Sequence, residues 1–389
     1  MSYDFETLVP HIDDESSVMY KKLRKGGYPT DVIDYGVAEM KFPLLPELSD
    51  ALVGLVKKGT LGYSAADDEY NEAVCNWMKT RHDYNIRPEY LVQTYGVVEA
   101  IGIAIRAFSN EGDNILIQSP VYNPFSNQIR SNGRNVIEND LLWTGSTYEI
   151  NFADFEEKAK NAKMFILCSP HNPVGRVWSK EELSKMAEIC LKYNVTVLSD
   201  EIHNDLVYGR EHTVFATVSD EIADRCVVCT APSKTFNIPG LVTSNTVIKN
   251  AVMREKFTKE RDISVGHFTN PIGCLACKTA YTYGAKWVDE LCAYLGENAQ
   301  YLEDYLREKL PQAKMSHMEG TYLAWIDLAF LGMSPEELER FIKEGAGLPI
   351  NMGYVYGDGG KTFVRVDIGC PKRYVTQFVD RLADAISKR

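Results

Sequence analysis

The middle of the chain repeats one pattern: a short continuous apolar run, a polar or glycine-containing turn, then a stretch with apolar residues at helical spacing. Short runs bounded by turns predict strands and the longer periodic stretches predict helices, so the order reads as alternating β and α. The predicted strands cover 91–93, 115–118, 164–168, 195–198, 226–229 and 246–248. They are short, continuous in character and mostly β-branched or Cys-rich, which suits a mostly parallel sheet covered on both faces. Between two of them Ser179 and Glu182 form a capping box. It opens a helix whose Leu183, Met186, Ala187 and Cys190 fall on one stripe.

The last hundred residues change character. They predict a long amphipathic helix over 291–310, a strand over 322–326, a helix capped by Ser334 and Glu337, a hairpin, and a final helix. In that last helix Val375, Phe378, Val379, Leu382 and Ile386 share one face. The expected organisation is an α/β fold with a large domain over 46–285, and a smaller α+β domain built from 1–45 together with 286–389. The run "GDGGKT" at 357–362 lacks the glycine of a phosphate loop, because Val355 stands five positions before Gly360. It reads instead as the hairpin turn between the two strands "YVY" and "FVRVDI" that flank it.

Composition narrows the function classes. Hydrophobic residues at 45% and charged residues at 25% are those of a globular protein. A formal charge of -12 argues against nucleic acid or anionic lipid as the main partner. The opening "MSYDFETLVP" lacks a basic-then-apolar signal pattern, and no apolar run approaches the ~20 residues of a membrane span, so a cytoplasmic protein is expected. Nine cysteines read as free thiols in a reducing compartment. Cys226 and Cys229 sit at i and i+3 of a strand and so face opposite ways, while Cys274 and Cys277 lie in an apolar helical stretch; no metal site is expected.

Polar residues gather just past the predicted strand ends, where α/β proteins build sites. "SPHNPVGR" supplies Asn172, "SDEIH" supplies Asp200 and His203, and "TAPSK" supplies Lys234. "TYGVVEA" places Gly96 at a helix start. Taken singly, each has a structural explanation as a helix cap, a turn residue or a solvated charge. Together they meet the needs of a cofactor carrying an aldehyde, a ring nitrogen and a phosphate. A Schiff base needs a lysine whose amine is partly deprotonated. A pyridinium needs a buried carboxylate, and a phosphate is well held by free N–H groups at a helix start.

On these motifs, in this order and over most of its length, the chain resembles the fold-type I pyridoxal-phosphate enzymes of the class I/II aminotransferase superfamily. "SPHNPVGRVW" and "APSKTFNI" bring it nearest the carbon–sulfur lyase branch of cystalysin and the cystathionine β-lyases. The resemblance implies a fold-type I architecture and pyridoxal 5'-phosphate as cofactor. Lys234 would hold it covalently and then carry the Cα proton. Asp200 would pair with the ring nitrogen, Asn172 and His203 would lie near the phenolic oxygen, and Tyr122 would stack on the ring as a further catalytic residue. Gly96, Val97 and Val98 would offer backbone N–H groups to the phosphate. Ser233 would help, as would Tyr63 reaching in from a second subunit, which implies a homodimer. Arg365, with Asn172 beside it, would clamp the substrate's α-carboxylate.

The implied reaction is β-elimination from cystathionine, cysteine or another S-substituted cysteine to pyruvate, ammonia and a thiol. The alternatives are amino transfer by the same residues and, in a different class, a regulatory role through a protein partner. Several positions depart from the branch's pattern. Glu99 replaces a proline, Asn123 a tyrosine, Lys41 of "VAEMKF" at 37–42 an acid, and Asp367 an asparagine. Val242 stands where many aminotransferases carry a phosphate-binding arginine, a feature shared with the lyase branch.

Overall fold

The computed structural model describes residues 2–9, 16–266 and 269–389. Met1 and 10–15, in the expected small domain, and 267–268, in the expected large one, lie outside the described residues. The strands, in chain order, begin with β1 (Leu91–Thr94), β2 (Asn114–Ser119), β3 (Asn135–Asp140), β4 (Leu142–Trp143), β5 (Tyr148–Glu149) and β6 (Met164–Cys168). They continue with β7 (Thr196–Asp200), β8 (Cys226–Thr230), β9 (Ser244–Val247), β10 (Lys314–Met315), β11 (Leu323–Asp327), β12 (Asn351–Met352) and β13 (Phe363–Asp367).

A seven-stranded sheet has the order β1-β9-β8-β7-β6-β2-β3. From β8 across to β3 every pairing is parallel, and β9 alone runs against both its neighbours. The run Met164–Cys168 is buried at every residue, as its unbroken apolar sequence requires of a central strand covered on two faces. Register then fixes the chemistry: Cys168 lies beside Asp200, and Asp200 beside Cys229, so the ends of three parallel strands are level. The helix Lys180–Lys192 starts at the expected capping box, with both reciprocal bonds formed. Leu183, Met186, Ala187 and Cys190 are buried.

The second sheet is antiparallel throughout, in the order β10-β11-β13-β12. Arg365 sits mid-strand on β13, opposite Trp325 on one side and Asn351 on the other. The long helix Ala285–Lys309 and the last helix Lys372–Ser387 belong to this part of the chain. Asn298, fully buried on the long helix, donates to the carbonyls of Ile368 (3.1 Å) and Cys370 (2.8 Å), which ties the helix to the chain leaving β13.

One expectation fails locally. β12 and β13 do pair antiparallel, but "YVY" is not a strand and "GDGGKT" is not a tight hairpin turn. Gly353–Tyr356 and Asp358–Gly360 each form a 3-10 turn. The cause is close backbone packing: a Cβ on Gly353 would lie 2.3 Å from the Gly360 carbonyl oxygen, an approach only glycine permits.

Candidate active site

A cavity of about 410 Å³ opens beyond the ends of the parallel strands, within the usual range for a small-molecule site. It brings together ten of the predicted residues: Gly96, Val97, Val98, Tyr122, Asn172, Asp200, His203, Ser233, Lys234 and Arg365. Tyr63 lies elsewhere and is 90% exposed. Asn123, the residue before helix Pro124–Ser131, does not line the cavity.

Lys234 follows β8 in the short helix Pro232–Thr235, so the strand end presents it directly. Its Nζ donates to the Ala38 carbonyl at 2.9 Å, which also accepts from the Tyr322 hydroxyl at 3.1 Å. Burial, reinforced by the Arg365 charge, lowers the amine's pKa from 10.5 to about 8. Near neutral pH the amine therefore loses a proton at small cost.

Asp200 closes β7 and is 4% exposed. Its Oδ1 accepts from the Ile202 N–H at 3.1 Å, but burial outweighs that bond and raises the carboxyl to about 7. A cationic partner in the cavity would restore its charge. His203 is pushed down to about 3, by burial first and then by Lys234 and Arg365, and is a neutral imidazole whose Nδ1 has no partner. Burial, followed by the charge on Asp200, raises the Tyr122 hydroxyl.

Gly96 caps the helix Val97–Phe108 with φ 96°, a conformation that side-chain-bearing residues rarely adopt. The N–H groups of that helix's first turn have no intrahelical acceptor, and they border the cavity. Glu99 bends back, its Oε2 accepting from the Tyr95 N–H at 2.6 Å. Its carboxyl, raised by burial, thereby serves the backbone just before the cap.

Arg365 comes from the other sheet and is 3% exposed. Nη1 donates to Asn172 Oδ1 at 3.1 Å, Nη2 to the Gly36 carbonyl at 2.8 Å, and the guanidinium lies 5.1 Å from the Tyr356 ring centre. Its Nε has no partner. A Cβ on Gly36 would fall 2.2 Å from Lys22 Nζ and 2.8 Å from Asn351 Oδ1, so both side chains would have to shift to admit one.

Sequence reasoning did not single out Gly36, Ala38, Glu39 or Asn351, which also line the cavity. The first two act through carbonyl oxygens, which leave no trace in residue type. Glu39 stood within the motif "VAEMKF" and could have been found there.

A phosphorylated pyridine aldehyde makes three demands on such a cavity, and these residues fit each. They are an unpaired helix start for the phosphate, a buried carboxyl that gains from a cationic ring nitrogen, and an amine able to shed its proton. Among the described residues no cluster suited to a metal ion is present, and no helix is long and apolar enough to cross a membrane.

Residues 30–382 match the family described as aminotransferase class I and II. The chain is 40% identical over 362 residues to cystathionine beta-lyase PatB of Bacillus subtilis (strain 168), covering 92% of this chain and 93% of that protein. It is 31% identical to protein MalY of Escherichia coli (strain K12), covering 92% of each. Among solved structures, cystalysin of Treponema denticola, which contains a pyridoxal 5'-phosphate cofactor, superposes with a TM-score of 0.96 at 38% identity over 100% of both chains. The pyridoxal-phosphate-bound C-S lyase of Staphylococcus hominis, in complex with L-cycloserine, gives 0.91 at 29% identity, over 99% of this chain and 98% of that one. The chain belongs to the class I and II aminotransferase family, and its fold is that of the fold-type I pyridoxal-phosphate enzymes.

Proposed function

We propose that the protein is a pyridoxal-phosphate-dependent carbon–sulfur β-lyase that cleaves L-cystathionine, L-cysteine or other S-substituted cysteines to pyruvate, ammonia and a thiol. The observation that carries the site assignment is the meeting, in one cavity, of Lys234 with its lowered pKa, buried Asp200 and buried Arg365. The similarity to a named cystathionine beta-lyase and to cystalysin favours elimination over amino transfer.

Gly96, Val97, Val98 and Ser233 would hold the phosphate, Asp200 would keep a proton on the ring nitrogen, Asn172 and His203 would lie near the phenolic oxygen, and Tyr122 would cover the ring. When bound, pyridoxal phosphate supplies an aldehyde that condenses with an amine and a ring that accepts the electron pair left at Cα. Arg365 binds the substrate's α-carboxylate with its unsatisfied N–H groups and so fixes which Cα bond faces Lys234. Lys234, its amine neutral, takes the Cα proton. Neutral His203 adds no charge beside that amine. The Cβ–S bond then breaks with its electron pair on sulfur, the proton that Lys234 took from Cα passes to the thiolate, and the released enamine is hydrolysed by water to pyruvate and ammonia.

A homodimer completes this reading. Tyr63 is 90% exposed, and Leu61, Val56 and Tyr283 are 53%, 62% and 60% exposed; such apolar exposure suits contact with a second copy, whose Tyr63 would reach the phosphate. Nine free cysteines suit work in the cytoplasm. The chain divides into a cofactor domain over 46–285 and a substrate-side domain over 1–45 and 286–389. The test is pyruvate release from L-cystathionine by the holoenzyme without any keto acid. Amino transfer that depends on a keto acid, with no pyruvate formed, would overturn the lyase reading.

A further inference from the structure

Two departures noted in the sequence meet in space. Lys41 Nζ lies 2.8 Å from Asp367 Oδ2, with the two side chains 3% and 0% exposed. The same Nζ donates to the Glu39 carbonyl at 2.5 Å, and Asp367 Oδ1 accepts from the Gly369 N–H at 2.7 Å. Neither residue lines the cavity.

Their neighbours do. Asp367 is two residues beyond Arg365 on β13, and the segment ending at Lys41 carries the two carbonyls that hold the site's cations, Gly36 for Arg365 and Ala38 for Lys234. Backbone bonds run alongside the ion pair, from Asp367 N–H to the Tyr35 carbonyl and from Lys41 N–H to the Gly369 carbonyl, each 2.7 Å. The pair therefore bolts the segment 35–41 to the end of β13. A charged pair this deeply buried is a poor source of stability, since apolar residues of similar volume usually serve as well or better. What it provides is direction: each charge fixes the other and a named backbone group.

We infer that Lys41 and Asp367 are positioning residues, which act by holding the segment 36–39 against β13 so that Arg365 presents its free N–H groups to the substrate carboxylate. The inference rests on the reading of Arg365 as the α-carboxylate clamp.

The experiment compares four variants of the holoenzyme by kinetics with L-cystathionine, by melting, and by calorimetric binding of L-alanine, which has no leaving group at Cβ. Asp367→Asn leaves Lys41 buried without its counter-charge. Its KM and its L-alanine Kd are expected to rise together by about tenfold, with kcat changed less than about threefold. Lys41→Met is expected to do the same. The double variant Lys41→Met/Asp367→Leu removes both charges; its melting temperature is expected to recover while KM and Kd stay raised. Recovery of KM and Kd along with melting in the double variant, or single variants that bind L-alanine like the wild type, would overturn the inference. Arg365→Lys separates the two readings. If it binds L-alanine normally, the clamp reading falls; if it binds poorly while Asp367→Asn binds normally, only the positioning role falls.

Discussion

The two sheets build opposite sides of one site by different means. The seven-stranded sheet contributes through strand ends: Asp200 closes β7, and Lys234 follows β8 within a few residues. Parallel register levels those ends, so a residue's place in the local sequence nearly determines its place in the cavity. The antiparallel sheet contributes through contacts between distant parts of the chain. Arg365 is held by Asn172 and Gly36, 193 and 329 residues away, and Lys41 and Asp367 are 326 apart. On the proposed reading, cofactor chemistry is thus written locally, and substrate alignment is written in long-range packing.

That contrast can be broken from either side. The largest effect belongs to Lys234→Ala, which removes the proposed covalent anchor and Cα base. Its kcat is expected to fall by about 10⁴-fold or more, with circular dichroism unchanged. Near-wild-type turnover would end the lysine's assigned role.

The next effect concerns stability of the apoprotein. Asp200 has a folded pKa of about 7 against 3.8, so the folded state binds more protons between those values and stability is lost as pH rises through about 7. Lys234 has a folded pKa of about 8 against 10.5, so the folded state binds fewer protons there and stability returns above about 8. These two groups place a stability minimum between about pH 7 and 8. The Asp200 limb amounts to as much as about 4 kcal/mol. Urea unfolding across pH should show both limbs, and Asp200→Asn should flatten the acid one.

A smaller effect follows from Asp200→Asn in the holoenzyme. With no negative charge to keep a proton on the ring nitrogen, kcat is expected to fall by about 10²-fold. The smallest is Arg365→Lys, which trades a planar fork for a point charge. An increase in KM of about tenfold with little change in kcat would mark it as a ground-state clamp, which steady-state kinetics reads directly.

What the sequence made legible follows the same contrast. The run Met164–Cys168 matched its predicted bounds, because an unbroken apolar stretch ending in Ser-Pro leaves a buried strand few alternatives. Asn172, Asp200 and Lys234 were legible because each lies at or just past the end of such a strand. The carbonyls of Gly36 and Ala38 were not, since any residue carries a carbonyl and only the fold aims it. Tyr356, buried under the Arg365 guanidinium, reads from sequence as part of a strand because "YVY" is wholly aromatic and β-branched; the Gly353–Gly360 contact that coils it lies outside that window. Lys41 and Asp367 appeared as two separate oddities, and only their 2.8 Å contact makes them one feature.

The central claim is that Lys234 is the amine that holds the cofactor in this cavity. Reduction of the holoenzyme with borohydride, followed by digestion and mass spectrometry, tests it most directly. The account predicts a pyridoxyl-phosphate adduct on the peptide containing Lys234; an adduct on a different lysine, or none on a protein saturated with pyridoxal phosphate, would contradict it.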